Sequence, residues 1–194
     1  MSRVINSICV YGASSPRLNQ SYIEDASLLG KMIAQQDISL ITGGGVMGLM
    51  AAVQEAVLSS GGKAIGIIPR FMVDAGWMHK GLTNTIVTKD MHERKELMAK
   101  MADAFIALPG GTGTFEELLE IITWKQLGIC LKPIIILNTN NYYDSLLKQL
   151  QESVEEDFLD RRYLKLWQVA KTPAEALNLA YSIPEWDSNF KKLP

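Results

Sequence analysis

The chain predicts an α/β fold: a Rossmann-like doubly wound parallel sheet in a single domain of 194 residues. Two observations carry this expectation. Short runs of β-forming residues alternate with longer stretches of helical pattern along the chain. The strand runs are also apolar almost throughout, as strands are when helices cover both faces of a parallel sheet. Crossovers in such a sheet are right-handed, and ligands bind at the carboxyl ends of its strands.

The elements follow in order. Ser7–Tyr11 is the first strand, its apolar part being Ile8 to Tyr11; Asn6 and Ser7, with no small-residue cleavage pattern behind them, argue against a signal peptide. A helix is expected over 19–36, a strand over 38–42, a helix over 46–59 and a strand over 63–68. Residues 85–88 read as the fourth strand, and 91–102 as a helix. The run 104–108 is the fifth strand, 114–127 an amphipathic helix, 133–138 the sixth strand and 142–155 another helix. A last strand is expected over 166–170. In the closing helix, 173–181, Pro173 stands in a first turn that tolerates proline, with Thr172 as its N-cap. The tail after Ile183, with Pro184, Trp186, Lys191 and Lys192, reads as irregular.

Composition narrows the function. A net charge of −2 and a pI near 5.7 lack the basic excess of a nucleic-acid surface. No apolar run approaches the roughly 20 residues that span a bilayer. Cys9 and Cys130 each sit in an apolar segment, which speaks against a disulfide framework or a cysteine metal site. The expectation is a cytoplasmic protein acting on a small molecule, with no nucleic-acid or membrane partner.

Three turns at strand ends carry candidate chemistry. Gly12-Ala13-Ser14-Ser15-Pro16 offers two hydroxyls, Ser14 foremost, which either meet a ligand or close the turn. In Thr42-Gly43-Gly44-Gly45-Val46-Met47-Gly48, the glycines at 43, 45 and 48 match the spacing of a dinucleotide fingerprint. The next strand, however, ends in Pro69-Arg70 with no acid to hold a ribose. An NADP site and close packing of helix on strand both fit that turn. The third, Pro109-Gly110-Gly111-Thr112-Gly113-Thr114, leads straight into a helix whose first-turn amides, freed of Cβ bulk, suit a phosphate. Glu116 and Glu117 follow. They lie about 100° apart on a helix, so only one can point into the site, and Glu117 is favoured.

A fourth feature lies on the helix at 91–102. Met91, Arg94, Met98 and Met101 fall on one stripe, which makes Arg94 a lone charge on an apolar face. A buried guanidinium needs a partner: a core carboxylate, a phosphate or a catalytic acid. Lys95 is placed on a more polar face, within reach of the same ligand by its length.

With Met91-His92-Glu93-Arg94-Lys95, Pro109-Gly110-Gly111-x-Gly113-Thr114-x-x-Glu117 and Gly43-Gly44-Gly45-x-x-Gly48 in one chain, the sequence resembles the Lonely Guy family. These are cytokinin-activating nucleoside 5′-monophosphate phosphoribohydrolases, often mislabelled lysine decarboxylases. The resemblance spans most of residues 7–155. It implies a homodimer with active sites at the interface, no cofactor and no metal. It also implies hydrolysis of the N-glycosidic bond of purine nucleoside 5′-monophosphates, AMP or an N6-prenylated AMP, to free base and ribose 5-phosphate. By the same analogy Arg94 and Glu117 are the catalytic pair. Lys95, Gly43 to Gly45, and the loop from Pro109 through Gly110, Gly111, Thr112, Gly113 and Thr114 to Glu116 hold substrate, together with Ser14. Thr123, six residues past Glu117, contributes as well, in keeping with a partner's site. Many relatives carry a substrate-contacting glutamate before the Arg-Lys pair, where this chain has Gly76-Trp77-Met78, so base selectivity stays open and Trp77 is a candidate to stack on a purine. The competing reading is a nucleotide-binding module without turnover, a sensor or carrier, with an NADP-dependent reductase behind it.

Overall fold

A computed structural model describes residues 3–187; Lys191 and Lys192 lie outside the described residues. Seven strands form one parallel sheet in the order β4-β3-β2-β1-β5-β6-β7. These are β1 (Ser7–Tyr11), β2 (Ser39–Thr42), β3 (Ala64–Pro69), β4 (Asn84–Thr88), β5 (Ala104–Ala107), β6 (Ile134–Leu137) and β7 (Gln168–Ala170). The helices between them are α1 (Gln20–Gln35), α2 (Gly48–Ser59), α3 (Arg70–Asp74), α4 (Met91–Met101), α5 (Thr112–Gln126) and α6 (Asp144–Glu155), and α7 (Pro173–Ser182) closes the chain. Thr172 caps α7 as expected, accepting from the Glu175 amide. Pro184 and Trp186 fall in an irregular segment.

The period-two alternation of side chains sorts each strand between two cores. Ile8 and Val10 of β1, Ile106 of β5 and Ile135 of β6 face α1, α2 and α7. Cys9 and Tyr11, Phe105, and Ile134 and Ile136 face α4, α5 and the segment around Tyr143. β5 and β6 are buried end to end and β1 to β3 at all but one residue each, whereas the outer strands β4 and β7 are partly exposed, hence their Asn, Thr and Gln. On the first face α1 and α2 pack closely through Gly30, where a Cβ would stand 2.6 Å from the Val53 carbonyl oxygen.

Two differences from the sequence-based expectation bear on function. α5 begins at Thr112, so the glycine loop itself forms its first turn. The five-residue α3, none of it buried, follows Pro69 directly; so short and exposed a helix has no apolar period to announce it.

Strand order reverses between β1 and β5, the switch point at which open sheets of this kind place their ligands. The loops leaving these two strands meet there, with the Ala13 amide donating to the Pro109 carbonyl at 3.1 Å.

Candidate active site

A cavity of about 560 Å³ opens at this switch point. Gly12 to Ser15 form one wall, and Gly43, Gly45, Val46 and Met47 from the turn after β2 another. Gly111 to Thr114, at the start of α5, close the third side, with Arg94 and Glu117 also facing the cavity. Met50, Met72, Trp77 and Met91 complete an apolar side.

The Arg94–Glu117 pair is set by local signals. Asp90 caps α4, accepting from the Glu93 amide at 2.8 Å, while the Glu93 carboxylate takes the Lys89 amide at 2.7 Å. This reciprocal cap fixes where the helix starts and therefore which face Arg94 occupies. The amide of Glu93 holds the Asp90 carboxyl below its ordinary range. Arg94 is 5% exposed; its Nε donates to the Ile67 carbonyl at 3.0 Å and its Nη1 lies 3.3 Å from Glu117 Oε1. The guanidinium rests directly on Gly43, where a Cβ would come within 1.7 Å of Nη2. Glu117, 8% exposed, is pushed up to about 7, chiefly by burial, with Arg94 pulling the other way and Glu116 adding repulsion. A carboxyl that titrates near neutrality beside a fixed cation is equipped for proton transfer.

The two glycine-rich turns differ in what their amides do. After β2, Gly44 donates to Thr42 Oγ1, Gly45 to Met50 Sδ and Val46 to the Trp77 carbonyl. Leu49 and Met50, at the start of α2, both donate to the Ala13 carbonyl. Gly48, at φ +67°, packs so tightly on that loop that a Cβ would sit 2.3 Å from the Ala13 oxygen. Five amides of this turn and of the start of α2, those of Gly44, Gly45, Val46, Leu49 and Met50, are thus committed internally. Arg70, the candidate for a 2′-phosphate, is exposed and lines no part of the cavity. At α5, by contrast, Gly111 provides no side-chain cap, and Cβ atoms added at Gly111 or Gly113 would meet nothing within 4 Å. There the missing side chains open space before a helix N-terminus that bears partial positive charge.

Of the residues singled out from sequence, Ser14, Gly43, Gly45, Arg94, Gly111, Thr112, Gly113, Thr114 and Glu117 line this cavity. Gly44, Lys95, Pro109, Gly110, Glu116 and Thr123 stand outside the lining. Lys95 is buried, not on a polar face, because its i+4 offset from Met91 keeps it near the apolar stripe. Its ammonium is taken by Glu116 and by Glu120, the latter at 3.0 Å. Burial disfavours that charge, but the hydrogen bonds to the two carboxylates outweigh it and raise the lysine's pKa. Glu120 thus belongs with Glu116, its i+4 neighbour, and not with Glu117. Thr123 is exposed on α5, its hydroxyl donating to the Leu119 carbonyl. The apolar side went unread in the sequence except for Trp77. Backbone pairing holds that residue in place, Trp77 to Val46 and Gly44 to His79, around a Gly45–Met78 bridge.

Comparison with known proteins places the chain in a family and a fold. Residues 50–180 match the family model described as "Possible lysine decarboxylase". The chain is 43% identical over 188 residues to a probable cytokinin riboside 5′-monophosphate phosphoribohydrolase of Oryza sativa subsp. japonica, covering 96% of this chain and 75% of that one. It is 40% identical over 186 residues to a cytokinin riboside 5′-monophosphate phosphoribohydrolase of Arabidopsis thaliana, covering 96% and 84%. Among solved structures, the molybdenum cofactor binding protein of Rippkaea orientalis shares the fold, with a TM-score of 0.68 at 24% identity over 89% of this chain and 93% of that one.

Proposed function

The chain belongs to the Lonely Guy family of cytokinin riboside 5′-monophosphate phosphoribohydrolases, and from that premise we propose that it hydrolyses purine nucleoside 5′-monophosphates to free base and ribose 5-phosphate. The observation that carries the proposal is the buried Arg94–Glu117 pair in the same cavity as the open first turn of α5. The amides from Gly111 to Thr114, with the Thr114 and Ser14 hydroxyls, receive the 5′-phosphate. Its binding energy, remote from the reacting carbon, goes into orienting the ribose over Glu117. As the bond from C1′ to the base breaks, positive charge grows on the sugar. Ionised Glu117 stabilises that charge and takes a proton from the water that adds to C1′; the base departs with the electron pair of the broken bond and takes a proton from solvent, to which Glu117 returns its own. Arg94 holds the carboxylate in place through its own anchor on the Ile67 carbonyl. The base lies toward Met47, Met72 and Trp77. Lys95, Glu116, Gly44, Pro109 and Gly110 support the lining from behind.

The decarboxylase description of the family model finds no counterpart among the described residues: no lysine of theirs lines the cavity, so none of them is placed to form a pyridoxal Schiff base there. Purified protein incubated with AMP and with isopentenyl-AMP, separately, is expected to release free base and ribose 5-phosphate. The ratio of the two rates identifies the preferred base. Nucleotide binding without base from either substrate would favour the sensor or carrier reading instead.

A homodimer and a cytoplasmic setting complete the proposal. Leu119, Thr123 and Leu127 recur every four residues on the exposed side of α5, with exposed Ile129 beyond them, an apolar stripe suited to a second copy. Thr123 then reaches the partner's site. Light scattering should read twice the 21.5 kDa chain mass, and a monomer would remove Thr123 from the site. The two free, buried thiols suit a reducing compartment. No helix among the described residues is long and apolar enough to cross a membrane.

A further inference from the structure

Two adjacent tyrosines grip the glycine loop from outside the cavity lining. The Tyr143 hydroxyl donates to the Leu108 carbonyl at 2.7 Å, and the Tyr142 hydroxyl donates to the Gly110 carbonyl. Neither tyrosine lines the cavity. Both are fixed by their own surroundings. Asn138 accepts from the Tyr143 amide at 2.7 Å and donates to Asp144 at 2.8 Å, while Tyr142 packs against Tyr143, Tyr22 and Phe115.

The two bonds have different consequences. In a trans peptide the C=O and the following N–H point in opposite directions. The Gly110 carbonyl shares its peptide with the Gly111 amide, so drawing that oxygen toward Tyr142 turns the amide the other way, and Gly111 does line the cavity. The Leu108 carbonyl shares its peptide with Pro109, which has no N–H to aim. A glycine–glycine peptide is also the one most free to rotate, and turned over it would present a carbonyl oxygen to an anion.

We infer that Tyr142 is a positioning residue for phosphate: its hydroxyl locks the Gly110–Gly111 peptide with the Gly111 amide facing the ligand, whereas Tyr143 only braces the loop. This rests on the phosphate seat proposed above and adds a residue that touches no substrate.

The test is equilibrium binding of AMP and of adenosine by calorimetry to Glu117→Gln protein, which holds AMP without cleaving it, and to the same protein carrying Tyr142→Phe or Tyr143→Phe. Each tyrosine substitution removes a single hydroxyl and leaves the ring stack. Tyr142→Phe should weaken AMP binding by roughly tenfold or more, the worth of one aligned donor to a charged group, and leave adenosine unchanged. Tyr143→Phe should lower Tm without altering the preference for AMP over adenosine. Equal loss for both ligands in Tyr142→Phe, no loss for either, or the same loss of preference in both variants would overturn the inference. So would a Glu117→Gln parent that binds AMP no more tightly than adenosine. A wild type that releases no base while this parent binds AMP would defeat the hydrolase proposal alone, since the binding comparison is read in a background without turnover.

Discussion

Glu117→Gln should reduce base release by about a thousandfold or more while AMP still binds, because the amide keeps the shape of the carboxylate but can neither take the water's proton nor offset charge on the ribose. The same carboxyl should govern the pH dependence. Since it titrates at about 7, the acid limb of wild-type activity should rise through that value as the ionised form appears. Stability should move the other way. The folded-state pKa lies above the ordinary 4.5, so the folded chain holds a proton that the unfolded chain has released between about 4.5 and 7. The resulting stabilisation is fully present below 4.5 and is lost as pH rises through 7. Over that span it amounts to something on the order of 3 kcal/mol. Thermal melts of wild type and Glu117→Gln from pH 4.5 to 8 check this directly: the wild type should fall relative to the variant across the window. Parallel curves would mean that Glu117 ionises normally, and a variant with wild-type turnover would remove it from the chemistry.

Gly43→Ala should be nearly as damaging, although residue 43 contributes no side-chain chemistry of its own. The new Cβ would demand the space of Arg94 Nη2, and the guanidinium is held on its other sides by the Ile67 carbonyl and Glu117. The arginine has to leave both partners. Misplacing a catalytic group by about an ångström costs on the order of a hundredfold, which is the expected fall in kcat/KM. Glu117, still buried but deprived of its cation, should titrate higher, so the acid limb of the residual activity should shift upward from 7. A pH–rate profile read beside kcat separates this from simple loss of folded protein. Wild-type kcat with an unmoved limb would show that Arg94 does not depend on the glycine beneath it.

Much of this site was legible before folding, for identifiable reasons. That only one of Glu116 and Glu117 can face the cavity follows from helix geometry, since adjacent residues diverge by about 100°, and the one that lines it is the favoured Glu117. Arg94 stood out because a charge interrupted an apolar stripe, and it is indeed 5% exposed. Lys95 was misplaced on a polar face because its two carboxylate partners, Glu116 and Glu120, lie on another helix. The apolar side of the cavity was missed for a related reason. Met47 and Met50 come from the start of α2, Met72 from α3 and Met91 from α4, and no periodicity links three segments that meet only through the sheet.

Local pattern was therefore enough for the alternation of strands and helices, for the cap of α7, and for the glycine loop that opens α5. Each depends on residues a few positions apart, whose propensities and hydrogen bonds act along the chain. The glycine turn after β2 shows where local pattern stops. Its spacing is compatible with a dinucleotide fingerprint and with close packing, although no acid follows at the end of the next strand. The decision came from contacts distant in sequence: Ala13 occupying the amides of Leu49 and Met50, and Arg94 lying on Gly43. The partners of Lys95 and the grip of Tyr142 on Gly110 are of the same kind. Which amides remain open to a ligand depends on which have already been bonded, and that is settled only when strands remote in sequence are brought side by side.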